Sequence, residues 1–146
     1  MNVTLIAVDK LREPYLRSGC GMYLKRLSPV LPVQVIEVKA AGAEVEARAI
    51  LRHVARDAVL WALDGAGVAL SSTDLAAKLG DVARSGRNAL VLAVGGADGL
   101  HTSVLERAAL RWSLSKLTLL HEMARLIVLE QLYRAIKISR QEPYHR

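Results

Sequence analysis

The apolar residues of this chain fall into short runs rich in β-branched side chains. These runs cover residues 3–8, 33–38, 59–63 and 89–94. The longer stretches between them, roughly 13–27, 43–58 and 73–85, carry Ala, Leu, Arg and Glu at helical spacing. Strands that alternate with helices in this way predict an α/β fold, a mostly parallel sheet flanked by helices.

The last third of the chain predicts a helix over about 103–110, a short strand near 114–119 and a final helix from about 122 to 140. The final helix has one narrow polar stripe, made of Glu130, Arg134 and Lys137. Its apolar residues spread around the remainder, at Met123, Leu126, Ile127, Leu129, Leu132, Tyr133 and Ile136. So wide an apolar arc needs two covering surfaces. The second surface is either the same helix of another copy, in a homodimer, or deep burial within one chain.

The totals place the chain among single folded domains. At 146 residues it predicts one domain spanning 1–146. Its apolar content is 52% with 23% charge, and no apolar run approaches the roughly 20 residues that span a bilayer. Residues 1–8 lack a basic leader and a cleavage site, and the lone Cys20 suits a reducing compartment. We therefore expect a cytoplasmic protein without a membrane partner.

Positive charge is concentrated late in the chain. The formal net charge is +6, and residues 101–146 hold eight basic and four acidic residues, so this third supplies +4. Such an excess favours a polyanionic partner such as nucleic acid, through phosphate contacts and counterion release. A merely basic surface is the alternative.

Two glycine-rich turns directly follow predicted strands, at residues 63–67 and 95–99. Parallel sheets bind ligands outside the carboxyl ends of their strands, where glycine allows close backbone approach. Neither turn matches the dinucleotide fingerprint G-x-G-x-x-G or the P-loop, so the sequence disfavours NAD or ATP held in those ways. Each glycine is also compatible with a simple need for positive φ.

The remaining chemistry-bearing residues give weaker signals. The four histidines have no metal-ligand spacing, and no G-x-S-x-G or HExxH motif occurs, so we predict no metal site. The segment 141–146 reads Gln-Glu-Pro-Tyr-His-Arg. A frayed tail is the ordinary interpretation, but its aromatic, imidazole and guanidinium groups can also stack on a base and hold phosphate.

Four motifs together resemble one known family. They are Gly-Gly-Ala-Asp-Gly-Leu at 95–100, Trp-Ser-Leu-Ser-Lys-Leu-Thr-Leu at 112–119, Glu-Gln-Leu-Tyr-Arg-Ala at 130–135 and Tyr-His-Arg at 144–146. In order and spacing they closely resemble the RlmH family of large-subunit ribosomal RNA pseudouridine N3-methyltransferases, in the knotted SPOUT superfamily. The resemblance covers essentially the whole chain. It implies a homodimer with a C-terminal trefoil knot, which general topology rules would disfavour, and activity on 23S ribosomal RNA in the ribosome.

The resemblance also implies S-adenosyl-L-methionine as cofactor, held by the loops of the knot. The cofactor-binding residues carried over by motif are Leu63, Gly95, Leu114, Ser115, Lys116, Leu117, Thr118 and Leu119. Two positions depart from the family pattern. Leu120 stands where relatives usually have proline before the histidine, and Asp9 replaces a glycine common after the first strand. The first departure concerns the shape of the cofactor loop, and the second a turn.

Four residues are candidates for catalysis: Arg134, Tyr144, His145 and Arg146. Methyl transfer from a sulfonium needs an aligned nucleophile with water kept away. The N3 of pseudouridine loses a proton as it attacks, so a cation such as Arg134 would stabilise the developing anion. The last three residues would hold the target nucleotide, across the dimer, and His145 is a candidate proton acceptor. For Arg134, an ion pair with Glu130 one turn earlier is equally compatible with the sequence.

Two other functions remain open at this stage. Asp9, Asp64 and Lys116 fall near the ends of successive strands, as in a receiver-like phospho-switch that binds magnesium. However, the first strand end has one acid instead of a pair. A non-catalytic RNA-binding module would keep the basic surface but would need neither glycine turn.

Overall fold

The computed structural model describes residues 1–146 as five strands and five helices that alternate along the chain. The strands are β1 (Asn2–Val8), β2 (Val33–Val38), β3 (Val59–Ala69), β4 (Ala89–Val94) and β5 (Leu110–Ser113). The helices are α1 (Pro14–Leu27), α2 (Ala43–Leu51), α3 (Ser72–Arg84), α4 (Thr102–Arg107) and α5 (His121–Ser139). The predicted α/β class is confirmed.

All five strands run parallel in one sheet, in the order β2-β1-β4-β3-β5. β1 and β4 are central, which explains why nearly every residue of these two strands is apolar. The receiver-like alternative requires the order 2-1-3-4-5. The observed order differs from it, so the phospho-switch interpretation is wrong at the level of topology.

Helices cover both faces of the sheet. Alternate residues of each central strand point to opposite faces, so that Leu5 and Leu92 pack on one side while Ile6 and Ala93 pack on the other. The first side is covered by α1, α3 and α5, and the second by α2 and α4. None of these helices is long and apolar enough to cross a bilayer.

Helix α5 lies between α1 and α3, and it packs on both. Gly19 of α1 permits this close approach, because a Cβ atom there would stand 3.0 Å from Leu126 of α5. The neighbouring helices and the sheet therefore cover most of the apolar arc of α5 within one chain. The breadth of that arc does not by itself require a second subunit.

The structure corrects four predicted boundaries. α2 ends at Leu51 and α4 at Arg107, so both are shorter than expected. β3 continues past residue 63 to Ala69, although its pairing with β5 is interrupted. The last strand is Leu110–Ser113, and residues 114–119 form a loop instead. The apolar residues of that loop line a cavity, which explains why they imitate a strand pattern.

Candidate functional site

A cavity of about 440 Å³ opens at the carboxyl ends of β3 and β4. We call it the strand-end pocket. It is lined by every residue that the family motifs selected for cofactor binding, namely Leu63, Gly95, Leu114, Ser115, Lys116, Leu117, Thr118 and Leu119. Further lining residues were not selected from the sequence, including Asp64, Trp112, His121 and Ala124. The sequence did offer a signal for two of them, because Asp64 lies in the glycine-rich turn at 63–67 and Trp112 in the motif at 112–119.

The turn after β4 forms one wall of the pocket and depends on glycine. The amide N–H of Gly99 donates to the carbonyl of Gly96 at 3.0 Å, and Gly99 has a φ of 72°. The turn folds back so tightly that a Cβ atom on Gly95 would lie 2.7 Å from the carbonyl carbon of Gly99. Both positions therefore require glycine for physical reasons.

A bulge in β3 forms the facing wall. Leu63 and Val68 are both registered with Trp112 of β5, so the four residues between them stand outside the ladder. The carboxylate of Asp64 accepts a hydrogen bond from the amide of Ala66 at 3.1 Å. The predicted glycine turn is thus an interruption within a strand, and it places Asp64 beside the cavity.

The loop between β5 and α5 forms the third wall and is shaped by two serines. The hydroxyl of Ser113 donates to the carbonyl of Ser115 at 3.1 Å, and the Ser115 hydroxyl accepts from the amide of Leu117 at 2.9 Å. Leu117 nevertheless remains 75% exposed and Leu120 51% exposed. Apolar side chains so exposed beside a cavity favour a ligand with an apolar surface.

Buried charges anchor the start of α5, next to the pocket. The carboxylate of Glu122 accepts hydrogen bonds from the amides of Arg12 and Glu13, at 2.5 and 3.2 Å. Burial alone would raise the pKa of Glu122, but these N–H groups outweigh it and lower the pKa below the ordinary value. Arg125 donates to the carbonyl of Asp9 at 3.2 Å and pairs with Glu37 at 2.9 Å.

Sequence reasoning missed this anchor, because a charged residue on a helix is normally expected to face water. The same region explains a departure from the family pattern. Asp9 has a φ of 71°, a conformation that favours glycine, so the replacement affects a turn as expected. Its carboxylate accepts hydrogen bonds from the Lys10 amide and the Arg12 guanidinium, and these bonds offset part of the strain.

A second cluster forms where segment 141–146 folds back along the polar stripe of α5. Tyr144 lies edge-on to Tyr133 with ring centroids 5.0 Å apart, and its hydroxyl lies 3.1 Å from Glu130 and 3.1 Å from Tyr23. Arg134 stacks over the Tyr144 ring at 4.7 Å. These groups, with His145, form what we call the tail cluster. The frayed-tail interpretation is therefore wrong for residues 142–145.

Contacts within the tail cluster shift the pKa values of two of its members. Arg134 pairs with Glu130 at 2.6 Å, as the alternative reading of the sequence predicted, and this bond raises the pKa of the guanidinium. Burial has the largest effect on Tyr144 and raises its pKa. The contacts with Tyr23 and Glu130 raise it further, far above the ordinary phenol value. Both groups therefore stay protonated at neutral pH and act as hydrogen-bond donors. Arg146 is exposed and forms no ion pair.

The pocket and the tail cluster lie at opposite ends of α5. His121 and Ala124 line the pocket, whereas Arg134 belongs to the tail cluster. A helix rises 1.5 Å per residue, so about 15–20 Å separates the two along α5. The structure thus brings the predicted cofactor residues together, and it brings Arg134, Tyr144 and His145 of the predicted catalytic residues together. It does not join the two groups within one chain.

Comparisons with known proteins agree with the motifs. A family model described as "Predicted SPOUT methyltransferase" matches residues 1–145. A protein of Moorella thermoacetica, named ribosomal RNA large subunit methyltransferase H, is 43% identical over 100% of this chain and 99% of its own length. One of the same name from Pelotomaculum thermopropionicum is 44% identical over 99% and 98%.

A putative namesake from Methanoregula boonei is 41% identical over the full length of both chains. Among solved structures, the SpoU methyltransferase AviRb from Streptomyces viridochromogenes, in complex with AdoMet, matches 97% of this chain and 61% of its own. Its TM-score is 0.47 at 14% identity, a likeness too remote to bear on function.

Proposed function

Since this chain belongs to the SPOUT methyltransferase family, we propose that it methylates N3 of a pseudouridine in large-subunit (23S) ribosomal RNA, with S-adenosylmethionine as donor. Relatives with matching length and about 43% identity bear a ribosomal RNA methyltransferase name. The observation that carries the proposal is the convergence of all eight motif-selected residues on one cavity. A ribosomal substrate places the enzyme in the cytoplasm. Family membership also implies the C-terminal trefoil knot.

The strand-end pocket fits S-adenosylmethionine by size and by chemistry. Its volume of about 440 Å³ lies within the roughly 300–1,000 Å³ typical of ligand sites. Glycine turns bring backbone donors and acceptors close, and Leu114, Leu117 and Leu119 supply apolar surface for a planar base. The Asp64 carboxylate and the backbone at 95–99 would hold polar groups. Once bound, the cofactor supplies a methyl group on a positively charged sulfur.

We infer that the enzyme works as a homodimer with each site built from two chains. The tail cluster is some 15–20 Å from the pocket along its own helix, too far for its side chains to reach a bound methyl group. A two-fold axis beside α5 would bring the tail cluster of one chain to the pocket of the other. The distance between the two clusters supports this arrangement better than the apolar arc of α5 does.

The exposed face of α1 is the surface that we assign to this contact. Tyr15 is 60% exposed and Met22 43% exposed, and they lie seven residues apart on one side of the helix. α1 also packs directly on α5. Exposed apolar residues in register on a helix favour association with another apolar surface.

Within that composite site, the residues of the tail cluster would bind and orient the nucleotide. Arg134 and Arg146 would hold phosphate and stabilise the charge that develops on the base, while the Tyr144 and His145 rings offer stacking surface. The Glu130 carboxylate offsets part of the Arg134 charge, so Arg146 is the freer cation. The pocket walls would exclude water from the reacting atoms.

A subunit-mixing experiment tests the proposal. One chain carries Gly95→Val, which spoils the pocket, and the other lacks residues 144–146. Each homodimer should be inactive on large ribosomal subunits, whereas co-expressed chains should regain roughly a quarter of the sites, because half of the dimers then hold one complete composite site. Methylation would be mapped by mass spectrometry of the RNA. No recovery on mixing would contradict the composite site, and an unmethylated RNA with wild-type enzyme would contradict the activity itself.

A further inference from the structure

Arginines gather at the amino ends of β3 and β4, the edge of the sheet opposite the strand-end pocket. Arg107 donates to the carbonyls of Ala55, Arg56 and Ala58, at 3.1, 3.4 and 2.9 Å. Arg87 reaches the carbonyl of Asp57 at 3.5 Å. These contacts bring Arg107 of α4 and Arg87, which lies two residues before β4, onto the turn that follows α2. We call the group the arginine corner; it consists of Arg52, Arg56, Arg87 and Arg107.

None of the four arginines forms a salt bridge. Among the eight basic residues of 101–146, four pair with glutamates, namely Arg125, Arg134, Lys137 and Arg140. The other four, Arg107, Arg111, Lys116 and Arg146, form no salt bridge, so this segment keeps unpaired positive charge. The arginine corner adds three unpaired arginines from earlier in the chain to Arg107.

The corner keeps this charge even when its acidic neighbours are counted. Asp57 and Glu106 are the acidic residues of its segments, so four arginines minus two acids leave +2. His53 on the same turn is also exposed. Arg52, Arg56 and Arg87 are exposed, while the three carbonyls hold Arg107 in place. Arg52, Arg87 and Arg107 each use only one guanidinium nitrogen, on backbone carbonyls, so their remaining N–H groups can bind an anion at a position that the fold fixes.

The corner is too far from the pocket to touch the reacting nucleotide. β4 has six residues between the corner and the pocket, and a strand rises about 3.3 Å per residue, so the separation is roughly 20 Å. A partner that touches both places must be extended and anionic. Guanidinium groups bind phosphate with paired, charge-assisted hydrogen bonds.

We propose that the arginine corner is a second contact with the RNA substrate, which holds backbone phosphates about 20 Å from the methylated nucleotide. The proposal rests on the proposed function, because it needs RNA as the substrate. Its role is docking: it raises affinity for the ribosomal particle and leaves the chemical step unchanged. It predicts a strong dependence of substrate affinity on salt.

The test compares two sets of substitutions. The corner variant carries Arg52→Gln, Arg56→Gln and Arg87→Gln, and the control carries Arg48→Gln and Arg84→Gln. The control arginines are 65% and 73% exposed but pair with Glu44 and Asp81. Methylation of large ribosomal subunits is measured at varied subunit and salt concentrations, along with subunit binding and S-adenosylmethionine affinity.

We expect the KM for subunits to rise at least about tenfold in the corner variant, with its salt slope reduced by roughly two to three. The kcat and the cofactor affinity should match those of the control. A KM and salt slope equal to those of the control would overturn the proposal, as would a photo-crosslinker at residue 53 that captures ribosomal protein instead of RNA. If the wild type binds subunits without methylating them, the proposed function fails, while the binding comparison still decides the role of the corner.

Discussion

The Nη1 group of Arg134 lies 3.1 Å from Nδ1 of His145. A guanidinium can only donate, so Nδ1 must be the acceptor and the neutral ring must carry its proton on Nε2. In this arrangement Nε2, the ring nitrogen of His145 that does not contact Arg134, is a hydrogen-bond donor. For His145 to take the proton of the substrate, as the sequence reading suggested, the bond to Arg134 would first have to break.

A glutamine at position 145 separates these two roles. His145→Gln keeps an acceptor for Arg134 and a donor for the nucleotide but cannot act as a base. We expect kcat/KM within about tenfold of the wild type, less than the 10²–10⁴-fold typical of losing a general base. Single-turnover methylation across pH 5.5–8 measures it. A loss of more than about a hundredfold would restore His145 as proton acceptor.

Gly95→Val should abolish cofactor binding. The added Cβ atom would lie 2.7 Å from the Gly99 carbonyl carbon, so the turn has to open and the pocket wall has to move. Gly65→Ala is the matched control, because Gly65 lines the same pocket while its Cβ would meet nothing within 4 Å. Calorimetric titration with S-adenosylmethionine should show binding lost in the first variant and kept in the second. Equal affinity in both would remove the turn from the site.

Substitutions of Tyr144 should distinguish ring packing from hydrogen bonding. Tyr144→Phe loses the contacts of the hydroxyl with Glu130 and Tyr23 but keeps the ring against Tyr133 and Arg134. The two lost hydrogen bonds are together worth about 1–3 kcal/mol, so activity should fall by roughly 5- to 150-fold. Tyr144→Ala should cost more, because segment 141–146 loses its anchor. Comparable kcat/KM in the two variants would contradict a role for the ring.

Glu122→Gln should destabilise the protein at neutral pH. The variant weakens two charge-assisted hydrogen bonds at a buried site, which costs about 1–3 kcal/mol in the free energy of unfolding. The folded-state pKa of Glu122 is below its ordinary value of 4.5. Its stabilisation is therefore present above that value and is lost as the pH falls through the folded-state pKa.

Urea unfolding of the wild type and Glu122→Gln at pH 7 and at pH 3.5 checks this prediction. The difference between them should be largest at pH 7 and shrink at acid pH. Glu44→Gln is the control, because Glu44 is 75% exposed and should change stability by less than about 0.5 kcal/mol at either pH. A difference that grows on acidification would show that the sign of the pKa shift is wrong.

The regular part of the fold follows directly from the sequence pattern. The bounds of β2 and β4 agree residue by residue with the predicted runs. β4 lies inside the sheet and is apolar on both faces, whereas β2 is an edge strand in which exposed Gln34 and Glu37 interrupt the β-branched residues. The sequence predicts a strand over 114–119, because leucines at 114, 117 and 119 are mixed with polar residues in a short segment. They face a ligand cavity instead of the core, a distinction that local periodicity does not contain.

The sequence predicts the parts of the candidate site that lie in motifs, but not the parts that depend on contacts between residues far apart in the chain. The family motifs selected eight residues of the pocket, and the spacing of Glu130 and Arg134 allowed their ion pair. Contacts between residues far apart in the chain, such as Glu122 with the amides of Arg12 and Glu13, leave no local pattern. The arginine corner was missed for the same reason, because its members come from three separate segments.

The bulge in β3 makes the pocket open to redesign. Residues 64–66 form part of its wall or rim but lie outside the ladder that joins β3 to β5, so they can be exchanged without removing a sheet hydrogen bond. Gly67 sets the limit of this freedom, since a Cβ atom there would collide with the backbone carbonyl of Arg111. A small library of substitutions at these three positions is therefore a practical way to select variants that accept enlarged sulfonium donors. Such variants would turn the enzyme into a tool for labelling RNA.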